Sequence, residues 1–142
     1  MSGAAEELEI HIDGASRGNP GEAGFGISVA TPGGAELAAL YGYLGRATNN
    51  VAEYQALIHA LRYALARGAR RVRVFSDSEL VVRQIAGTYK VKHPDMQPLH
   101  REASALLARF AHASVVHVPR EQNHAADRLA NRALDEKASK LA

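Results

Sequence analysis

The stretch Leu8-Glu9-Ile10-His11-Ile12-Asp13-Gly14-Ala15-Ser16-Arg17-Gly18-Asn19-Pro20-Gly21 governs how the rest of the chain is read. Its opening residues alternate apolar and polar, the period of a strand. Leu8, Ile10 and Ile12 would face one way, and Glu9, His11 and Asp13 the other. The segment 14–21 is rich in glycine and reads as a turn, so Asp13 is expected to end the first strand. Phe25 to Ala30 is predicted as a second strand, Thr31-Pro32-Gly33-Gly34 as a hairpin turn, and Glu36 to Leu44 as a third strand. Together they make an antiparallel meander.

Past the meander the period changes. Thr48-Asn49-Asn50 reads as a helix start, and Tyr54, Leu57, Ile58, Leu61 and Leu65 recur at helical spacing up to a stop at Gly68. Arg71 to Ser76 is predicted as a strand, Ser78 to Ala86 as a helix, Met96 to His112 as a helix, Ser114 to Val118 as a strand, and Asn123 to Lys140 as a closing helix. The order is βββαβααβα, an α/β fold. Strands separated by helices favour parallel pairing, so a mixed five-stranded sheet with helices on both faces is expected. A chain of 142 residues suits one domain, 1–142, with a core over about 8–136.

Composition narrows the function. Hydrophobic residues at 46% and charged residues at 23% read as a globular rather than a disordered chain. The lack of cysteine excludes disulfides, a thiolate nucleophile and a zinc–thiolate site; it fits a reducing compartment, and a cytoplasmic monomer is expected. Met1 to Glu9 is acidic and lacks the apolar run of a signal peptide, and no segment is apolar enough to span a bilayer, so no membrane partner is expected. A net charge of +2 hints only weakly at a polyanion. Arg67, Arg70, Arg71 and Arg73 cluster, with Arg83, Lys90 and Lys92 beyond them.

Four acids then stand out by position. Asp13 ends the first predicted strand and Asp77 comes just after the fourth, while Glu53 and Asp127 lie early in predicted helices on their inward sides. Carboxylates so gathered repel one another unless a divalent cation neutralises them. All-oxygen ligands suit Mg²⁺ or Mn²⁺ rather than zinc, and two such ions can serve the attacking water and leaving oxygen of a phosphodiester. Each acid also has a structural alternative. Asn50-x-x-Glu53 could be a capping box, Asp77 an N-cap, Asp127 a partner of the helix dipole and Asp13 a turn residue.

Four blocks resemble type 1 ribonuclease H in order: residues 13–21, Thr48-Asn49-Asn50-Val51-Ala52-Glu53, Ser76-Asp77-Ser78, and Asn123-His124-Ala125-Ala126-Asp127-Arg128-Leu129-Ala130. The resemblance covers about Leu8 to Leu134. It implies a nuclease that cuts the RNA strand of an RNA–DNA hybrid, leaving 5′-phosphate and 3′-hydroxyl ends, with two Mg²⁺ ions engaged with substrate and Mn²⁺ as a substitute. It implies Asp13, Glu53, Asp77 and Asp127 as catalytic metal-binding acids, with Glu53 near the scissile 2′-hydroxyl. Gly14, Ser16, Asn19, Thr48, Asn49, Asn50, Glu79 and Asn123 fall at substrate-binding positions. A same-fold nuclease for double-stranded RNA, or an inactive nucleic-acid-binding module, is the alternative.

The chain departs from that family in three places. Many members carry an accessory histidine on a glycine-containing loop before the last helix, whereas here Val118-Pro119-Arg120-Glu121-Gln122-Asn123-His124 is short. Some compact members place an arginine there, which makes Arg120 the expected helper and His124 the second choice. Only Thr88 to Pro94 joins the two middle helices, too short for the basic, tryptophan-containing arm of some members, and the chain has no tryptophan. Glu79 stands where several members have glutamine, and a carboxylate accepts hydrogen bonds but does not donate them.

Overall fold

The computed structural model describes residues 6–141. Most of the signal-peptide expectation, which rests on the first residues, lies outside that range. The elements are β1 (Glu7–Arg17), β2 (Gly21–Ala30), β3 (Glu36–Ala47), α1 (Asn49–Ala66), β4 (Arg71–Ser76), α2 (Glu79–Ala86), α3 (Gln97–Leu107), β5 (His112–His117) and α4 (His124–Glu136). They build one five-stranded sheet of order β3-β2-β1-β4-β5. The meander is antiparallel, whereas β1–β4 and β4–β5 are parallel, so the expected mixed sheet is present.

Alternation along β1 sets the layers. Leu8, Ile10 and Ile12 are fully buried with their β2 partners Val29 and Ile27 and with Phe25, facing α1. Each large apolar side chain removed from water stabilises the fold by about 1.5–3 kcal/mol. Buried Ala52, Ala56, Ala60 and Ala64 let α1 lie close to the sheet, while Leu57, Ile58 and Leu61 fill the interface. α3 packs behind α1, and α4 covers β1, β2 and β3 on the opposite face.

Several boundaries differ from expectation. β1 does not stop at Asp13: it runs on to Arg17, paired with β2 as far as Arg17↔Glu22, and β2 accordingly begins at Gly21 rather than Phe25. Small residues at 14–16 are compatible with a ladder, and the turn shrinks to Gly18-Asn19-Pro20. α3 ends at Leu107 because the chain is drawn into the β4 ladder, with Ala111 N–H donating to the Arg70 carbonyl at 2.8 Å and β5 starting at His112. α4 ends at Glu136, where Lys137 takes a left-handed conformation (φ 48°). The chain then returns to the β3 edge, and Lys140 exchanges both backbone hydrogen bonds with Tyr41 at 2.8 and 3.0 Å.

Candidate active site

The site forms where β4 leaves the sheet. The parallel pairing of β1 with β4 ends at Ile12↔Ser76, after which β1 keeps β2 as its partner and Asp13 sits opposite Gly26. Asp13 is therefore inside β1 but at the end of its parallel segment, and Asp77 follows the last residue of β4 beside it. That is the carboxyl edge where open α/β sheets place their sites.

Two glycines admit helices from opposite faces at this point. A Cβ on Gly14 would come within 2.4 Å of the Glu53 backbone nitrogen and 2.5 Å of the Ala52 carbonyl carbon. A Cβ on Gly26 would lie 2.2 Å from the Ala126 carbonyl oxygen. The bare backbone at these two positions allows Glu53 to arrive on α1 and Asp127 on the first turn of α4.

Carboxylate oxygens of Asp13, Glu53 and Asp77 lie within 4.8 Å of one another. Asp13 and Glu53 are buried, and Asp77 is half-buried. Asp127 stands outside this tight trio, half-buried, within hydrogen-bonding reach of Asp13 and on the wall of the same cleft. Glu53 is held at both oxygens. The Gly14 N–H donates to Oε1 at 2.9 Å, and the Ser76 hydroxyl lies 3.4 Å from Oε2.

Burial, and then the charges of Glu53 and Asp77, push the Asp13 carboxyl up to about 10. Burial pushes Glu53 up to about 7, opposed by the Gly14 hydrogen bond. Without a cation Asp13 retains its proton at neutral pH, whereas a divalent cation favours the ionised forms of Asp13 and Glu53. The oxygen donor set matches a hard ion such as Mg²⁺ or Mn²⁺. Asp13, Glu53 and Asp77 therefore fit a divalent ion, with Asp127 adjacent.

The structural alternatives for the acids resolve separately. Thr48 caps α1, its Oγ1 accepting from Val51 N–H at 3.2 Å, and Glu53 turns to Gly14 instead of closing a capping box. Ser78, not Asp77, caps α2 by accepting from Val81 N–H at 3.3 Å. Asp13 is a strand residue rather than a turn residue. Asp127 does occupy the first turn of α4, where a negative charge is also favourable to the helix.

A cleft of about 410 Å³ opens over the acids, and Gly14, Ser16, Asn49, Asn50, Ser78 and Arg120 share its wall with them. The other expected residues fall elsewhere. Asn19 is exposed and accepts from Asn49 N–H at 3.1 Å, steadying the helix start, and the Thr48 side chain is occupied as the cap. Glu79 is exposed and paired with Arg83 at 3.0 Å. Asn123 is a correction: it is 1% exposed and donates to the Ile12 carbonyl at 2.9 Å, so it locks α4 to β1 and has no surface to offer a substrate. His124 is exposed and outside the cleft wall, whereas Arg120 is on it.

Sequence reasoning gave no role to Ser76 or Gly26. Ser76 continues the inward rhythm of Val72 and Val74, and a polar residue at a buried strand position was the available signal. Gly26 sits mid-strand, which commonly marks close approach by another backbone.

The strand order and the carboxylates converging beside β1 and β4 define an α/β domain of the ribonuclease H-like fold with an acidic metal-type centre. A family model described as reverse transcriptase-like matches residues 11–133. The bifunctional protein Rv2228c of Mycobacterium tuberculosis is 48% identical over 137 residues, covering 96% of this chain; the chain spans only 38% of that relative's length. The solved structure of RNase H1 from Halobacterium salinarum is 42% identical with a TM-score of 0.89, over 92% of this chain and 98% of that one. LC11-RNase H1, solved in complex with RNA/DNA hybrid, is 40% identical with a TM-score of 0.87, over 92% and 98%. The chain belongs to the ribonuclease H family, type 1.

Proposed function

We propose that this protein is an endoribonuclease that hydrolyses the RNA strand of RNA–DNA hybrids, leaving 5′-phosphate and 3′-hydroxyl ends. The observation that carries the reading is the trio Asp13, Glu53 and Asp77, with oxygens within 4.8 Å, on the wall of a cleft shared with Asn49 and Asn50. The hybrid found with LC11-RNase H1 supports the choice of substrate. Mg²⁺ is the proposed cofactor, two ions being engaged with substrate, and Mn²⁺ would substitute. A monomer acting in the cytoplasm completes the proposal. The cysteine-free composition suits that compartment, and among the described residues no helix is long and apolar enough to cross a membrane.

Hydrolysis adds water across the bond between phosphorus and the 3′ oxygen. Cations held by the carboxylates would supply the charge that activates the water and stabilises the leaving oxygen. The chain's own groups do the placing. Gly14 N–H and Ser76 fix Glu53, so its carboxylate is preorganised rather than ordered on binding. Asn49 and Asn50 offer amides that both donate and accept, which suits the 2′-hydroxyl that separates RNA from DNA. Arg120, on the cleft wall, brings a guanidinium to the developing negative charge on phosphate.

The test is cleavage of RNA–DNA hybrid, double-stranded RNA and single-stranded RNA side by side, in Mg²⁺, Mn²⁺ or EDTA. Cleavage of the hybrid alone, abolished by EDTA, is expected. Equal cleavage of double-stranded RNA would replace the proposed substrate, and cleavage in EDTA would overturn the mechanism.

A further inference from the structure

Asp127 stands apart from the tight carboxylate trio, and the contacts that hold it are its own. Asn131, one turn further along α4, donates through Nδ2 to the Asp127 backbone carbonyl at 3.0 Å, with the Asp127 carboxylate Oδ1 at 3.5 Å. Its Oδ1 accepts from Arg17 Nη2 at 3.3 Å, and the same nitrogen meets Asp135 Oδ1 at 2.7 Å. Arg17 is the last residue of β1, the strand that carries Asp13. A chain of contacts Asp135–Arg17–Asn131–Asp127 thus links the end of that strand to the fourth acid.

The direction of the amide follows from chemistry. A guanidinium only donates, so Arg17 requires the oxygen of Asn131 and leaves the NH₂ group for Asp127. We propose that Asn131 is a positioning residue for Asp127, with Arg17 setting its amide so that one carboxylate oxygen is steered by Nδ2–H and the other is free to face the cleft. The Arg17 and Asp135 side chains are 50% and 66% exposed, so their pair adds little to stability. Its consequence lies in orientation. Partners behind a metal-binding carboxylate commonly change metal affinity or activity by about 10–100-fold when removed. The proposal rests on the metal-binding reading of Asp127 given above.

The test titrates Mn²⁺ by calorimetry into metal-free wild type, Asn131→Leu and Arg17→Ala, with cleavage of hybrid measured against Mg²⁺ concentration in parallel. Asn131→Leu keeps the bulk and helix propensity but loses both polar atoms. It is expected to bind Mn²⁺ about 10-fold more weakly. Its half-maximal Mg²⁺ concentration should rise and its kcat fall, with KM for hybrid and the unfolding midpoint unchanged. Arg17→Ala, an exposed change that leaves packing intact, is expected to weaken Mn²⁺ in the same direction by about 3-fold, below the range for direct partners. Asn131→Gln, which restores the donor on a longer stem, should recover part of the Mn²⁺ affinity. Unchanged Mn²⁺ affinity in both Asn131→Leu and Arg17→Ala would overturn the proposal, as would a lower kcat in Asn131→Leu with unaltered metal dependence. Because calorimetry needs no substrate, a wild type that failed to cut hybrid would refute the proposed activity and leave the Asn131 result readable.

Discussion

Gly14 donates its backbone N–H to Glu53 Oε1 at 2.9 Å and has no space for a side chain, since a Cβ there would reach 2.4 Å from the Glu53 backbone nitrogen. One residue thus fixes both where α1 lies and where its carboxylate points. Gly14→Ala would strike backbone atoms, which cannot rotate away. The substitution is expected to cost about 2–4 kcal/mol, in the range of severe overpacking, measured by urea unfolding. Any folded fraction should lose hybrid cleavage along with the Glu53 geometry. Wild-type stability in Gly14→Ala would mean that α1 does not sit on β1 as described.

Metal-free protein should lose stability as pH rises. Asp13 is raised from 3.8 to about 10 and Glu53 from 4.5 to about 7. A raised acid holds a proton in the folded state that the unfolded chain has released, so its stabilising effect is complete below the unfolded pKa and is lost as pH climbs through the folded one. Both groups act between about pH 4.5 and 7, and Asp13 alone from there to about pH 10. Burial lowers the pKa of His11, which works the other way near pH 6.5. That contribution is common to both samples when curves in EDTA and in saturating Mg²⁺ are subtracted. The Mg²⁺-induced rise in Tm should therefore grow from pH 5 to pH 8, and a gain independent of pH would contradict the coupling.

Asp13→Asn separates stability from activity. The amide cannot ionise, so it keeps the shape without the cost of holding a carboxyl protonated beside Glu53 and Asp77. In EDTA at neutral pH the variant should be more stable than wild type by about 1–3 kcal/mol, because unfolding no longer gains from releasing the proton that folded Asp13 holds. It should also lose most of its Mg²⁺-induced rise in Tm and reduce hybrid cleavage by roughly 10³-fold or more. Lower stability in EDTA would show that the Asp13 carboxyl is a structural hydrogen-bonding group instead.

How much of this was legible in the sequence depends on the kind of signal. Alternation from Leu8 to Ile12 gave the inward face of β1, and the helical spacing of Leu57, Ile58 and Leu61 gave the packed face of α1, because burial imposes those periods directly. The placement of Asp13, Glu53 and Asp77 together followed from element order. The extension of β1 through Arg17 did not, since glycine, alanine and serine carry no strand signal of their own and pair here because β2 is already alongside. Asn123 was misread for a related reason. An asparagine before a helix looks the same in sequence whether it caps, meets a ligand or, as here, plugs a strand carbonyl 111 residues away. Only the chain's return to β1 distinguishes them.

Arg120 is the proposed accessory residue, and the side of Asn123 on which each candidate lies is the ground for preferring it to His124. Arg120 lines the cleft from the short turn Arg120–Gln122, while His124 begins α4 after the buried Asn123 and remains exposed. With Asn123 pinned to Ile12, His124 cannot swing to the acids without breaking a buried hydrogen bond, a change that costs about 1–3 kcal/mol. Arg120→Ala should therefore lower kcat for hybrid by about 10–100-fold, in line with loss of a cation facing a phosphate in flight. KM should change little, because the charge it answers develops in the transition state. Arg120→Lys keeps a charge without the fork and should recover only part of the rate. His124→Ala should stay within about twofold of wild type, as expected for an exposed side chain away from the chemistry. If His124→Ala instead removed the rate and Arg120→Ala spared it, the last turn before α4 would have to rearrange on substrate binding, with Asn123 released from Ile12 in the process.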